Sequence, residues 1–320
     1  MSEQENSNRT ATGSAARLPT TLRLGAVHLR VSDLERSVVF YEEAIGLKLH
    51  HRKDGVAAMG VGEEALLELY EEPGVRRAGR HAGLYHYALL FPSREELARA
   101  ALRVAALRVA ATKTPIQGAS DHGTHEAIYL PDPDGNGIEL AADRPREAWP
   151  KPLDYAGGPH PLDLNGLLTA VSGEEPRAQA GPGLRIGHVH LHVGDLERGL
   201  GFYRDLLGFE LMTFMPGAAA FVSAGGYHHH LGFNLWRGEG IPPAPEGRVG
   251  LQHWTVVLEE PEEVAAVRER VQVAGIEVEE GEDHGFLVRD PWGIATVFTR
   301  NSRRGQPPDK TPSRSFGQQR

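Results

Sequence analysis

The chain has 320 residues, about twice an ordinary domain, with 34 basic and 43 acidic residues for a net charge of −9. That balance disfavours a nucleic-acid partner, and the absence of cysteine excludes disulfides, thiolate metal sites and cysteine nucleophiles. No apolar run approaches the about 20 residues needed to span a bilayer. The N-terminal stretch lacks the apolar core of a signal peptide, so the cytoplasm is the expected compartment.

Residues 1–22 are polar and aperiodic, and 302–320 are polar, Pro-containing and locally basic; both read as disordered tails. The segment beginning at Gly25, GAVHLRVSDLERSVVFYEEAIGLKL, starts as an alternating strand. It continues with helical spacing that puts Leu34, Val38, Tyr41 and Ile45 on one face. Asp33 or Ser32 is the expected N-cap and Gly46 the expected stop. Short strands follow through GVAAMG and ALLELYE. Then a strand (GLYHYALLF), a helix and further strands ending in GNGIELAAD repeat the pattern, giving a β-α-β-β-β unit twice in residues 23–146.

The Pro/Gly-rich stretch 147–183 reads as a linker. GHVHLHVGDLERGLGFYRDLLGFEL, beginning at Gly187, then matches the Gly25 segment without gaps, pairing His28 with His190, Asp33 with Asp195 and Tyr41 with Tyr203. Two weaker matches follow in the same order, His86 with His253 and Asp132 with Asp290. Residues 184–301 are therefore a second copy, and the fold class is α+β with four β-α-β-β-β modules in two domains.

Strand alternation suggests where chemistry could sit. His28 points away from the apolar face of Val27, Leu29 and Val31; His86 shares a face with Leu84, Ala88 and Leu90; Glu139 shares one with Gly137. Two imidazoles and one carboxylate on three strands compose the facial triad of non-haem Fe(II) oxygenases, and Mn(II), Ni(II) or Zn(II) suit the same donors. A strand histidine is also commonly a hydrogen-bonded core residue, whereas an inward carboxylate demands a partner. Glu68 is a candidate fourth ligand.

The DLERSVVFYEEAIGL helix, the DPDGNGIEL strand and the segments SDHGTHEAIYLPDPDGNGIEL, ADRPREAWP and SAGGYHHHLGFNLW resemble the vicinal oxygen chelate superfamily. That superfamily includes glyoxalase I, bleomycin-resistance proteins and extradiol dioxygenases. The likeness is strongest to two-domain catechol 2,3-dioxygenase-like proteins. The resemblance implies paired modules forming incomplete curved barrels. It also implies metal ligands at His28, His86 and Glu139, a substrate-bonding Tyr129, and an acid–base histidine at His122 or His125. The implied substrates are a catecholic aromatic and O₂, and a homodimer is the implied assembly. In the second copy His190 and His253 are retained, but Val297 replaces the carboxylate and Asn234 stands opposite Glu68. That half therefore reads as a degenerate site, unless His228, His229 and His230 rescue it. The alternatives are a glyoxalase-like isomerase, which would need Glu68 as a fourth ligand, and a protein that sequesters a small aromatic or drug without turnover.

Overall fold

The structure is a computed structural model and describes residues 17–110, 116–153, 158–281 and 284–300. The expected tails at 1–16 and 302–320 lie outside the described residues. The first tail does not extend to 22, because Leu18 and Leu22 are buried and the Leu18 N–H donates to Gly208 O at 2.8 Å.

Each module has the expected order. The first comprises β1 (Arg23–Val31), α1 (Leu34–Phe40), β2 (Lys48–Lys53), β3 (Val56–Val61) and β4 (Glu64–Glu71), followed by a short β5 (Arg76–Arg77). The second comprises β6 (Gly83–Phe91), α2 (Arg94–Ala110), β7 (Gly118–Asp121), β8 (His125–Pro131) and β9 (Gly137–Asp143). After β10 (His160–Pro161) and α3 (Leu164–Thr169) comes the third, with β11 (Arg185–His192), α4 (Leu196–Leu200), β12 (Glu210–Met215), β13 (Ala219–Ser223) and β14 (Leu231–Asn234). The fourth comprises β15 (Arg248–Leu258), α5 (Pro261–Val273), β16 (Val278–Glu280), β17 (Phe286–Arg289) and β18 (Ala295–Arg300).

Local chemistry explains the repeated helix. Asp33 accepts from the Arg36 N–H and Asp195 from the Arg198 N–H, each at 2.9 Å, capping α1 and α4. Both helices continue as a π-helical turn, the first ending at Gly46 in the left-handed conformation with φ of 79°. Leu34, Val38, Tyr41 and Ile45 are all buried, as the spacing predicts.

The modules do not pair in chain order. One sheet runs β16-β17-β18-β15-β1-β4-β3-β2 and joins the first module to the fourth. The other runs β10-β7-β8-β9-β6-β11-β14-β13-β12 and joins the second to the third. In both seams the leading strands meet antiparallel, β1 with β15 and β6 with β11. Neither sheet closes into a barrel. This corrects the division at 147–183 into two self-contained halves, since each sheet takes strands from both sides of that stretch.

Consecutive modules are instead tied by buried hydrogen bonds between sheets. The Tyr41 hydroxyl donates to Asp132 at 3.0 Å, and the Tyr203 hydroxyl to Asp290 at 2.8 Å. The stretch read as a linker also packs: β10 pairs with β7, and Leu162, Leu167 and Val171 are buried.

Candidate metal centre

The seam between β6 and β11 carries a dense group of imidazoles around one carboxylate. Glu139 lies on β9 beside Ala88 of β6, and it is 1% exposed, so it needs charged or hydrogen-bonding partners. His86 Nε2 stands 3.1 Å from Glu139 Oε2, and His188 Nε2 stands 3.2 Å from the same oxygen. The two Nε2 atoms are 3.2 Å apart. Three donors about 2.2 Å from a common centre, at near right angles, are separated by about this distance. The triangle therefore fits one face of an octahedral divalent metal.

Two backbone irregularities build it. At the β6–β11 seam, Gly187 and His188 together face Ala88 between the pairs Ile186–Leu89 and Val189–Tyr87. This bulge keeps Ile186 in the core while turning His188 to the imidazole-lined face. Opposite His86 stands Gly137, where a Cβ would fall 2.2 Å from Tyr85 O, so only glycine lets β9 bring Glu139 this close.

The surrounding side chains orient the triangle. His125 Nε2 lies 3.0 Å from Glu139 Oε1, and its Nδ1 is 2.9 Å from Thr124 Oγ1. His228 stacks on His125 at 4.8 Å and bonds Asp143 Oδ1 at 3.0 Å. His229 packs against His188 with ring centroids 4.1 Å apart. Tyr129 sits opposite Glu139 on β8, and His122 Nε2 is 2.7 Å from its hydroxyl. Burial alone would raise the Glu139 carboxyl, but His188, His125 and His86 outweigh it and hold it well below the usual carboxylate range. Burial, reinforced by His125, pulls His122 down to about 4, leaving it neutral at pH 7.

His190, the counterpart of His28, is occupied differently. Its Nε2 is 2.9 Å from Asn234 Nδ2, while Asn234 Oδ1 is 2.8 Å from His192 Nδ1. His230 lies beside His188 in the ladder, but its Nδ1 bonds Ser223 Oγ at 2.9 Å.

His28 is in the other sheet. It stacks on His253 at 3.7 Å, and its Nδ1 is 3.0 Å from the Tyr70 hydroxyl, which donates to Glu68 at 2.7 Å. Equivalent register puts Ala26 where His188 stands and Val297 where Glu139 stands, so this sheet retains only His253 of the three donors. Among the described residues, the one convergent group of metal-type donors is His86, Glu139 and His188.

Residues 23–140 and 185–298 match the glyoxalase/bleomycin resistance protein/dioxygenase superfamily. The chain belongs to that superfamily. It is 42% identical over 274 residues to the catechol-2,3-dioxygenase of Bacillus subtilis (strain 168), covering 84% of this chain and 93% of that protein. Two solved structures share the fold. A putative dioxygenase from Bacillus subtilis aligns at TM-score 0.60 and 13% identity, covering 90% of this chain and 87% of that one. Glyoxalase I from Zea mays aligns at 0.55 and 19%, covering 88% and 92%.

Set against the sequence expectations, this superfamily member brings His86, Glu139, His125, His122 and Tyr129 into one site and leaves His28 and Glu68 outside it. The residue that completes the triangle, His188, escaped the sequence reading. The repeat match highlights the shared His28/His190 pair, whereas His188 is one of two histidines in HVHLHV that the first copy lacks, with Ala26 in its place. The counterpart of Asn234 by strand register is Tyr70, and that of Glu68 is Gly232.

Proposed function

We propose that the protein is an Fe(II)-dependent extradiol dioxygenase that opens a catechol ring at the bond beside the diol, with O₂ as cosubstrate. The ligands in this reading are His86, His188 and Glu139. The observation that carries it is the three-donor triangle on one carboxylate oxygen, which leaves the rest of a metal's coordination shell to substrate and O₂. Similarity over most of the chain to an enzyme named for catechol cleavage supports it. Mn(II), Ni(II) and Zn(II) suit the same donors, and reconstitution decides among them.

Fe(II) held by His86, His188 and Glu139 would supply electron transfer between a catechol substrate and dioxygen. The chain's own residues have separate tasks. His125 fixes the free oxygen of Glu139 and so aims the other toward the two imidazoles. The His122–Tyr129 pair handles the substrate proton: the neutral imidazole accepts it, and the tyrosine hydroxyl holds the diol in place.

An isomerase that draws on a fourth protein carboxylate is disfavoured. Glu68 lies in the other sheet, and its counterpart by register in the sheet that holds the triangle is Gly232, which has no side chain to offer as a ligand. The deciding experiment is to reload protein purified without oxygen with Fe(II), add catechol and air, and follow the yellow ring-fission product together with O₂ uptake. Matched product and uptake support the dioxygenase. Bound iron without product over a catechol panel rejects it, and no retained metal at all leaves the binding-protein reading.

A further inference from the structure

The two sequence copies differ at one matched corner of the fold, where the leading strand of a module gives way to its helix. In the first copy the turn after Asp132 brings Asp134 to that corner, with its carboxylate 6% exposed. Asp134 Oδ2 accepts from the Ser32 N–H at 2.8 Å, and Oδ1 accepts from Ser32 Oγ at 2.5 Å and from Arg36 at 2.6 Å. Three donors converge on one carboxylate, and its charge is fully served.

The second copy keeps donors and loses the acceptor. Matching Asp33 to Asp195 and Asp132 to Asp290 puts Gly194 in place of Ser32, Arg198 in place of Arg36 and Trp292 in place of Asp134. Among the described residues Arg198 has no carboxylate within ion-pair distance, and its guanidinium lies over the Trp292 ring at 5.4 Å. Asp195 is engaged by the Arg198 N–H as the cap of α4, and Asp290 by the Tyr203 hydroxyl and the Trp292 and Ile294 N–H groups. The Gly194 N–H and the Trp292 Nε1–H also lack an acceptor among the described residues, although Trp292 is only 5% exposed. A Cβ on Gly194 would fall 2.8 Å from Trp292 Nε1, so glycine is what lets the two N–H groups come together. These donors border a cleft of about 410 Å³, walled by Ile241, Pro242 and Pro291. Apolar walls with a few convergent donors are the make-up of a small-molecule site. None of the lining residues belongs to the metal centre.

We propose that this cleft binds a small monocarboxylate, whose carboxylate takes the place that Asp134 fills in the first copy. Arg198, the Gly194 N–H and the Trp292 Nε1–H hold its two oxygens, and its apolar body lies against Ile241 and Pro242. Glu239, exposed at the same cleft, opposes a second negative charge and so disfavours dicarboxylates.

The test is calorimetric titration of the full-length protein, loaded with Fe(II) and kept free of oxygen, with benzoate and with its neutral isostere benzamide. Benzoate should bind roughly tenfold more tightly than benzamide, and Arg198→Gln should remove that preference. Gly194→Ser/Trp292→Asp, which rebuilds the first copy's own carboxylate in the cleft, should abolish benzoate binding. His188→Ala, at the metal centre, should leave benzoate affinity unchanged. Circular dichroism equal to wild type establishes that the variants are intact, and the exposed Arg198→Gln decides the matter if the double variant fails to fold. Absence of benzoate binding to the wild type, equal affinity for benzoate and benzamide, or full affinity in Arg198→Gln overturns the proposal. Loss of benzoate binding in His188→Ala overturns it too, because the ligand then sits on the metal.

Discussion

His188 Nε2 lies 3.2 Å from Glu139 Oε2, although one residue belongs to the first strand of the third module and the other to the last strand of the second. The contact exists because β11 joins β6 edge to edge, so the complete site is shared between the two sequence repeats. Neither repeat contains it alone.

This sharing separates His188 from His28. Glu139→Ala and His188→Ala should each abolish iron retention and ring cleavage, since two donors hold a divalent ion far more weakly than three. His28→Gln and Val297→Ala, both in the sheet without the triangle, should leave both unchanged. Metal content by elemental analysis and O₂ uptake decide the matter; iron retained in His188→Ala would move the site.

His125 touches the carboxylate rather than the ligand triangle's centre. Its replacement by Ala should weaken metal affinity or activity by roughly 10–100-fold without removing the site. Tyr129→Phe should keep the metal and lower kcat instead. Iron titrations of each variant against its turnover distinguish the two roles, and equal losses in both quantities for both variants would contradict them.

The His28–His253 stack predicts acid lability. Burial lowers His28 to about 3 and His253 to about 2, from an ordinary 6.5. Below pH 6.5 the unfolded chain takes up protons that the native pair does not, so stability falls as pH falls. The contribution is complete above pH 6.5, and about 2 kcal/mol per histidine is lost between pH 6.5 and 5. Urea unfolding at pH 7 and pH 5 should show this loss shrinking in His28→Gln/His253→Gln. A profile unchanged by the double substitution would place the lability elsewhere.

Tyr41 and Tyr203 tie consecutive modules by donating to the buried Asp132 and Asp290. Tyr41→Phe leaves the Asp132 carboxylate short of a donor and should cost about 1–3 kcal/mol in urea unfolding. Tyr203→Phe should cost a similar amount through Asp290, whereas Tyr41→Phe also removes the acceptor of the Tyr87 hydroxyl. Metal retention should be unaffected in both, since neither tyrosine touches the triangle.

Much of this protein was legible in its sequence because the signals are local. Apolar spacing set the α1 face, Asp33 or Ser32 was the expected cap and Asp33 supplies it, and the ungapped match from Gly25 and Gly187 revealed the repeat. Glu139 stood out for an equally local reason, as a carboxylate on an inward strand face beside a glycine.

The partner of each module was not legible, because each opens with a leading strand of similar apolar pattern and nothing local to that strand says which other one it will pair with. Register along those seams was hidden too. The bulges at Gly187–His188 and at Tyr85 shift the alternation by one residue, and a two-residue period cannot reveal them. So the sequence by itself determined the modules, their number and the donor chemistry. Only the tertiary structure decided that His188, and not His28, meets His86 and Glu139, because a metal centre depends on atoms within a few ångströms of one another and only strand pairing sets those distances.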